Sequence, residues 1–257
     1  MSEETLPGGN TDGAVRIGDV VHKKAAPWTP TVHALLRHLE QAGVDGVPRA
    51  LGFDEQGRQM LTYLSGEMIG DRDPWPAWVY ADSTLVQVGQ WMRRVHDVTA
   101  AFIPPADEQW FTGRTMQPGW IIGHQDVAPY NAVMDGDRLV GFFDWDIAFP
   151  SPREDDLAFS AIVWVPLTEP DAGEHSGPKD VQDRSRRLHL LLDSYGYDSD
   201  RRAVGVAIVE RARRQAGAIR AMADAGDPAA KALLPIASRL DQAASYVEAL
   251  PDDFWTH

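Results

Sequence analysis

The chain has 257 residues, 44% of them hydrophobic and 24% charged, enough for one large domain or for two lobes around a cleft with a substantial buried core. It has no cysteine, which excludes disulfides, iron–sulfur clusters and thiolate-held zinc. With 38 acidic against 24 basic side chains the formal net charge is −14, a field that repels nucleic acid and favours a cationic small molecule. No run of about 18 apolar residues offers a membrane span. The stretch Met1 to Asn10, acidic with Gly and Pro, is unlike a secretory signal, so a cytoplasmic protein is expected.

In chain order, Leu6 to Thr11 is a turn-rich loop. Ala14 to Gly18 and Val20 to Lys24 read as short strands joined at Gly18-Asp19. Alternation puts Val21 and Lys23 on one face of the second strand, and Val20, His22 and Lys24 on the other. Thr29-Pro30 marks a helix start with Thr29 as N-cap. Val32, Leu35, Leu36 and Leu39 form its apolar stripe, and Gly43 suits its C-terminal end. Arg49 to Phe53 and Gln59 to Leu64 form a further strand pair turning at 54–57. The first 64 residues are thus a small sheet with one helix.

From Ser65-Gly66 the pattern becomes helical, with Leu85, Val88, Met92 and Val95 at helical spacing through about 82–98. Trp120 to Ile122 leads into a polar cluster. Ala132 to Met134 and Leu139 to Phe143 make a hairpin across Asp135-Gly136, so that Asp135 and Asp137 read as turn residues. Leu157 to Val165 is a buried helix ended by Pro166, with Asp155 and Asp156 as its caps. Residues 167–180 form a loop, and helices follow at about 181–195, 201–224 and 228–249, the last interrupted by Pro235. The class is α+β.

The chemistry concentrates between His124 and Asp146. The segment His124-Gln-Asp126-Val-Ala-Pro-Tyr-Asn131, the hairpin, and Phe142-Phe-Asp144-Trp-Asp146 place oxygen donors at offsets of five and thirteen residues. Asp126 can accept a hydrogen bond from a substrate hydroxyl, aim its oxygen at a phosphoryl group and take its proton. Asn131 offers a neutral amide oxygen and Asp144 a carboxylate, sufficient for Mg²⁺ that also carries phosphates and water. Asp146, two residues on, points the same way as Asp144 if the chain there is extended. His124 reads as a structural hydrogen-bonder.

These residues carry a family resemblance. His124 to Asn131 resembles the catalytic loop of the aminoglycoside phosphotransferase and choline kinase superfamily, itself a relative of the protein-kinase loop. Phe143-Asp144-Trp145-Asp146 resembles that family's metal-binding segment, Asp156-Leu157-Ala158 the D-L-A that follows it, and Val95-His96 the end of its L-H helix. The resemblance implies a two-lobed protein-kinase-like fold, with a nucleotide-binding lobe over 1–66 and a catalytic, acceptor-binding lobe over 67–257. It implies ATP or GTP as co-substrate, Asp126 as catalytic base, and Asn131 and Asp144 as Mg²⁺ ligands. Lys23 would steady the α- and β-phosphates, Val21 would sit over the base, and the hinge would run from Thr62 to Glu67 with Tyr63 in it.

Two positions depart from the family pattern. Gly8-Gly9-Asn10-Thr11 is a short phosphate-covering loop, and His33 stands where the family carries a helix glutamate that pairs with the strand lysine. For the acceptor, Asp171, Glu174, Asp180, Asp183 and Glu210 are candidates to meet a polycation such as an aminoglycoside, although solvated helix faces explain them equally well. Trp110, Trp164 and Trp255 could stack on an apolar or sugar acceptor, but core packing is the favoured role for them. The expected activity is therefore transfer of a γ-phosphate to a small-molecule hydroxyl, an aminoglycoside-like one first, then an amino alcohol, sugar or macrolide. A nucleotide-binding regulatory protein that has lost transfer is the alternative. A metal phosphohydrolase built on Asp144, Asp146 and His124 is a third reading.

Overall fold

The computed structural model describes residues 3–6, 13–167 and 180–256. It has two compact units: Met1–Arg72 with Gln90–Arg153, and Asp73–Gly89 with Glu154–His257. In the first unit, β1 (Glu3–Thr5), β2 (Val15–Ile17), β3 (Val20–Lys23), β4 (Ala50–Phe53) and β5 (Gln59–Thr62) form one antiparallel sheet in the order β1-β2-β3-β5-β4. Strand β1 has no sequence signal, because all three of its residues are exposed and polar. Gly18, with φ of +64°, makes the β2–β3 turn. Directly opposed residues share a face, so the register Val21↔Leu61 and Lys23↔Gln59 sets Lys23 beside the buried amide of Gln59.

Helix α1 (Thr29–Gln41) buries Val32, Leu35, Leu36 and Leu39 almost completely. Its N-cap is Trp28, one residue before the expected Thr29. A turn bonding Thr29 N to Ala26 O extends the helix backwards, and Thr29 Oγ1 accepts from Ala26 N at 2.9 Å instead of capping. Gly43, at φ of +70°, ends the helix as expected, with Val44 N returning to Leu39 O.

The hairpin pairs β7 (Ala132–Asp135) with β8 (Arg138–Phe142). Asp135 opposes Arg138, so the turn residues are Gly136 and Asp137, one later than expected, with the positive φ of +57° falling on Gly136. A Cβ on Gly141 would lie 2.1 Å from Gly46 O, and Phe142 N donates to that same oxygen at 3.0 Å. Only glycine allows β8 to press this closely on the Gly46 turn. Strand β6 (Ile121–Gly123) pairs antiparallel with β9 (Phe149–Ser151), a strand that its central Pro150 conceals in the sequence.

Helix α2 (Asp82–Thr99) carries Leu85, Val88, Met92 and Val95, all buried, and its residues divide between the two units. The second unit continues with most of α3 (Arg153–Trp164), then α4 (Val181–Tyr195), α5 (Arg201–Asp224), α6 (Pro228–Ala232) and α7 (Leu234–Glu248). Asp155 and Asp156 are not caps. They lie buried in the first turn of α3, and Asp155 pairs with Arg211 at 3.5 Å and with Arg214. Asp180 caps α4 by accepting from Gln182 N, and Gly196 ends it at φ of +76°. The expected last helix breaks at Leu233, where Pro235 serves the first turn of α7. Among the described residues no helix is long and apolar enough to cross a membrane. Gly8 and Gly9, and Asp171 and Glu174 of the expected 167–180 loop, lie outside the described residues.

Candidate active site

The polar cluster is built wholly within the first unit. Gln125 is fully buried with φ of +70°, a conformation unfavourable for a residue with a Cβ. Its amide nitrogen donates to Ser151 Oγ at 2.8 Å and Phe149 O at 3.3 Å, so β9 holds this turn in place. His124, also fully buried, joins the loop to the far side of the hairpin. Nδ1 accepts from Asp126 N at 3.3 Å, which leaves Nε2 to donate to Phe143 O at 3.0 Å. Its ring packs 4.5 Å from Trp145 and 6.3 Å from Trp91, so the imidazole lies in the aromatic core.

Asp126 Oδ2 accepts from Asn131 Nδ2 at 2.8 Å, and its Oδ1 from Tyr130 Oη at 2.7 Å. Burial pushes its pKa above the ordinary aspartate value, against the opposing pull of the Tyr130 and Asn131 bonds, and the nearby Asp144 charge adds to the rise. Because Asn131 turns its nitrogen to Asp126, its amide oxygen is the atom left for a cation. Phe143 N donates to Asn131 O at 3.1 Å, tying the two ends of the hairpin together next to Asp144.

Asp144 is not extended: its φ is +66°. The expectation of one straight segment therefore fails, although the two carboxylates still converge. Trp145, nearly fully buried between them, turns inward and donates Nε1 to Phe142 O at 3.1 Å. Lys23 Nζ lies 2.7 Å from Asp144 Oδ1 and 2.7 Å from Asp146 Oδ2. Burial alone would lower the lysine pKa, but the Asp144 and Asp146 charges reverse this and hold it above its ordinary value. Gln59 Nε2 donates to Asp146 Oδ1 at 3.2 Å.

Helix α1 thus supplies no acid to Lys23. At the expected position His33 is fully buried and stacks on Phe53 with ring centroids 5.0 Å apart. Burial lowers its pKa, and neighbouring Gln59 offsets part of this without meeting hydrogen-bond geometry at either ring nitrogen. Val21 lies half-buried on the Lys23 face. The Tyr63 ring sits under the Arg16 guanidinium at 3.8 Å, and its backbone N–H donates to Asp19 O at 2.9 Å. Glu67 and Met134 exchange backbone bonds of 2.7 and 2.9 Å, anchoring the end of the 62–67 segment on β7.

Three participants escaped the sequence reading as participants: Gln59, Gln125 and Tyr130. For Gln59 the available signal was a polar residue opposed in register to Lys23; for Tyr130 it was a large aromatic between a proline and the metal-type asparagine. Of the acceptor candidates, Trp110, Trp164 and Trp255 are packed inside, in line with the core role favoured for them over stacking on an acceptor. Asp180 caps α4, Asp183 pairs with Arg186 at 2.8 Å, and Glu210 is exposed on α5. Among the described residues no three His, Cys, Asp or Glu side chains form a ready metal cage. What is present is a set of hard oxygens, two carboxylates already gathered around an ammonium and one amide oxygen nearby. That set fits Mg²⁺, which keeps several phosphate and water ligands.

No protein-family model matches the chain. It is 36% identical over 208 residues to the trifolitoxin immunity protein of Rhizobium leguminosarum bv. trifolii, covering 79% of this chain and 77% of that one. Among solved structures it resembles a choline/ethanolamine kinase family protein from Mesorhizobium loti, with a TM-score of 0.57, 15% identity, and 96% and 92% of the two chains covered. It also resembles an aminoglycoside 2'-phosphotransferase in complex with GDP, with a TM-score of 0.59, 14% identity, and 96% and 93% covered.

Proposed function

Since the chain belongs to the family of the trifolitoxin immunity protein and carries the two-lobed kinase-like fold of the aminoglycoside phosphotransferases and choline kinases, we propose that it is a phosphotransferase. It moves the γ-phosphate of ATP or GTP to a hydroxyl of a small molecule. The observation that carries this reading is the convergence of Lys23, Asp144 and Asp146 beside the Asp126–Asn131 pair.

Each side chain has a task that its surroundings suit. Asp126, held by Asn131 and with a raised pKa, receives the acceptor hydroxyl and takes its proton as the new bond to phosphorus forms and the bridging P–O bond to the nucleoside diphosphate breaks. The Asn131 amide oxygen and Asp144 would hold Mg²⁺, with Asp146 alongside. Bound there, the ion neutralises charge on the phosphate oxygens. Lys23 donates to the α- and β-phosphates, and Gln59 keeps Asp146 aligned behind it. Val21 and the 62–67 segment, including Tyr63, line the base, while Gly8 and Gly9 cover the phosphates. In this reading 1–66 is the nucleotide lobe, 67–257 the catalytic and acceptor lobe, and the protein works in the cytoplasm where nucleotide is abundant.

The net charge of −14 favours a cationic acceptor, aminoglycoside-like in the first instance, and gives no role to nucleic acid or membrane. The relative named for immunity to trifolitoxin favours a second version, in which the phosphorylated molecule is a hydroxyl-bearing toxin and immunity is its modification. A phosphate-transfer screen with ATP and GTP over aminoglycosides, amino alcohols, sugars, macrolides and trifolitoxin separates these. Tight Mg²⁺-dependent nucleotide binding without turnover on any acceptor would instead mark a regulatory protein that has lost transfer.

A further inference from the structure

Tyr130 has no task in the transfer reading, yet its hydroxyl touches the group at the centre of it. The residue lies on the short 3-10 turn Pro129–Asn131 and is 43% exposed. Its hydroxyl donates to Asp126 Oδ1 at 2.7 Å, within the ordinary range for O–H···O bonds. This is the contact that a base must offer to an incoming alcohol: a neutral hydroxyl, donating to the carboxylate, at short distance. The second carboxylate oxygen is already engaged by Asn131 at 2.8 Å. A phenol therefore takes up a place on Oδ1 of the kind that an acceptor hydroxyl would use.

We propose that Tyr130 is an internal stand-in for the acceptor and a specificity-determining residue for the reaction. Its hydroxyl fills the acceptor position on Asp126, keeps water from being activated there, and gives way when a proper acceptor binds. The exposure of the ring allows this, because it can swing outward without opening the core. The fully buried neighbours His124 and Gln125 hold the loop and Asp126 in place while it does so. Acceptors are thereby restricted to alcohols with enough further contacts to displace a phenol, and the displaced ring offers such an alcohol an apolar face. Water, with one oxygen and no further contacts, is excluded. The inference rests on the phosphotransferase reading with Asp126 as base.

The test compares wild type, Tyr130→Phe, Asp126→Ala and the double variant, with folding checked by circular dichroism. The first readout is phosphate release from Mg-ATP and Mg-GTP without acceptor. In that reaction a water oxygen bonds to the γ-phosphorus, the bridging P–O bond to the nucleoside diphosphate breaks, and the water proton passes to Asp126. The second readout is KM and kcat for whichever acceptor the screen identifies. Tyr130→Phe keeps the ring and removes the competing bond, so hydrolysis should rise and acceptor KM fall, each by roughly tenfold, with kcat little changed. The double variant should lose both activities. Wild-type hydrolysis and KM in a folded Tyr130→Phe, with transfer lost in Asp126→Ala, would overturn the Tyr130 inference alone. A fall in kcat with no gain in hydrolysis would also overturn it, since it would make Tyr130 a support for Asp126. Unchanged turnover in Asp126→Ala would overturn the base assignment, and this inference with it.

Discussion

Replacing Lys23 by Met removes the ammonium that Asp144 and Asp146 share while keeping a chain of similar length. Two contacts of 2.7 Å are lost, between side chains that are 21%, 38% and 31% exposed. A fully buried charged hydrogen bond contributes about 1.5–3 kcal/mol and an exposed ion pair about 0.2–1 kcal/mol, so this exposure places each contact near 1 kcal/mol. Together they contribute about 2 kcal/mol, which for a chain of this size lowers Tm by about 4–8 °C. The two carboxylates then face each other without a counter-charge, and a divalent ion becomes the best remaining one. Mg²⁺ at ten times its Kd adds about 1.4 kcal/mol, so it should restore roughly 3–6 °C to the variant and less to wild type, where the lysine competes. The sign with pH follows from the raised lysine pKa. The Lys23 contribution is fully present below the ordinary lysine value and is lost only as pH rises through the raised one, so the gap between the proteins stays constant through neutral pH. Differential scanning fluorimetry across a MgCl₂ series measures both effects. Equal melting temperatures without metal, or equal Mg²⁺ shifts in the two proteins, would refute the reasoning.

Three other perturbations reach different links of the account. Gln59→Leu frees Asp146 from its bond to β5 and should weaken nucleotide binding by about 3–10-fold in calorimetry, the size of one lost hydrogen bond; an unchanged Kd would deny Gln59 a part in positioning. In Asp155→Ala the Arg211 side chain, only 5% exposed, and Arg214 each lose a carboxylate contact; a loss of about 1.5–3 kcal/mol is expected in urea melts followed by circular dichroism, and a loss below about 0.5 kcal/mol would contradict the ion-pair account. The raised pKa of Asp126 means that the active carboxylate form is lost, as pH falls, at a higher pH than for a free aspartate. The acid limb of kcat/KM should therefore lie above the ordinary aspartate range, and a limb at or below it would show that burial does not govern this group.

Much of this architecture is legible in the sequence because its elements carry periodicity. Helix α5 spans Arg201–Asp224 as read from pattern alone, and α1 ends at its glycine. The cluster is legible for another reason: its three oxygen donors lie at short fixed offsets within one local strand–loop–hairpin pattern, so their placement does not depend on distant parts of the chain. What was hidden depends on tertiary context. Strand β1 is polar and exposed throughout, and β9 contains a proline, so neither alternates. The left-handed backbone at Asp144 falls on a residue with a Cβ, beside the inward-buried Trp145, where sequence offers no glycine to mark it. The partnership of Lys23 with Asp146 and Gln59, in place of a helix acid, joins three segments far apart in the chain, and no local pattern contains it. Tryptophan is ambiguous in sequence, since the same residue serves a surface or a core; Trp110, Trp164 and Trp255 take the core role that composition favours.

The central claim is that the segment from His124 to Asp146 performs phosphoryl transfer, with Asp126 as the group that receives the acceptor proton. Its most direct test is the turnover of γ-labelled ATP and GTP by wild type and Asp126→Ala, with Mg²⁺, on the acceptor found by screening. Labelled product should form with wild type, and kcat should fall by about 10²–10⁴-fold in the variant while nucleotide still binds. Equal turnover in the two proteins would contradict it.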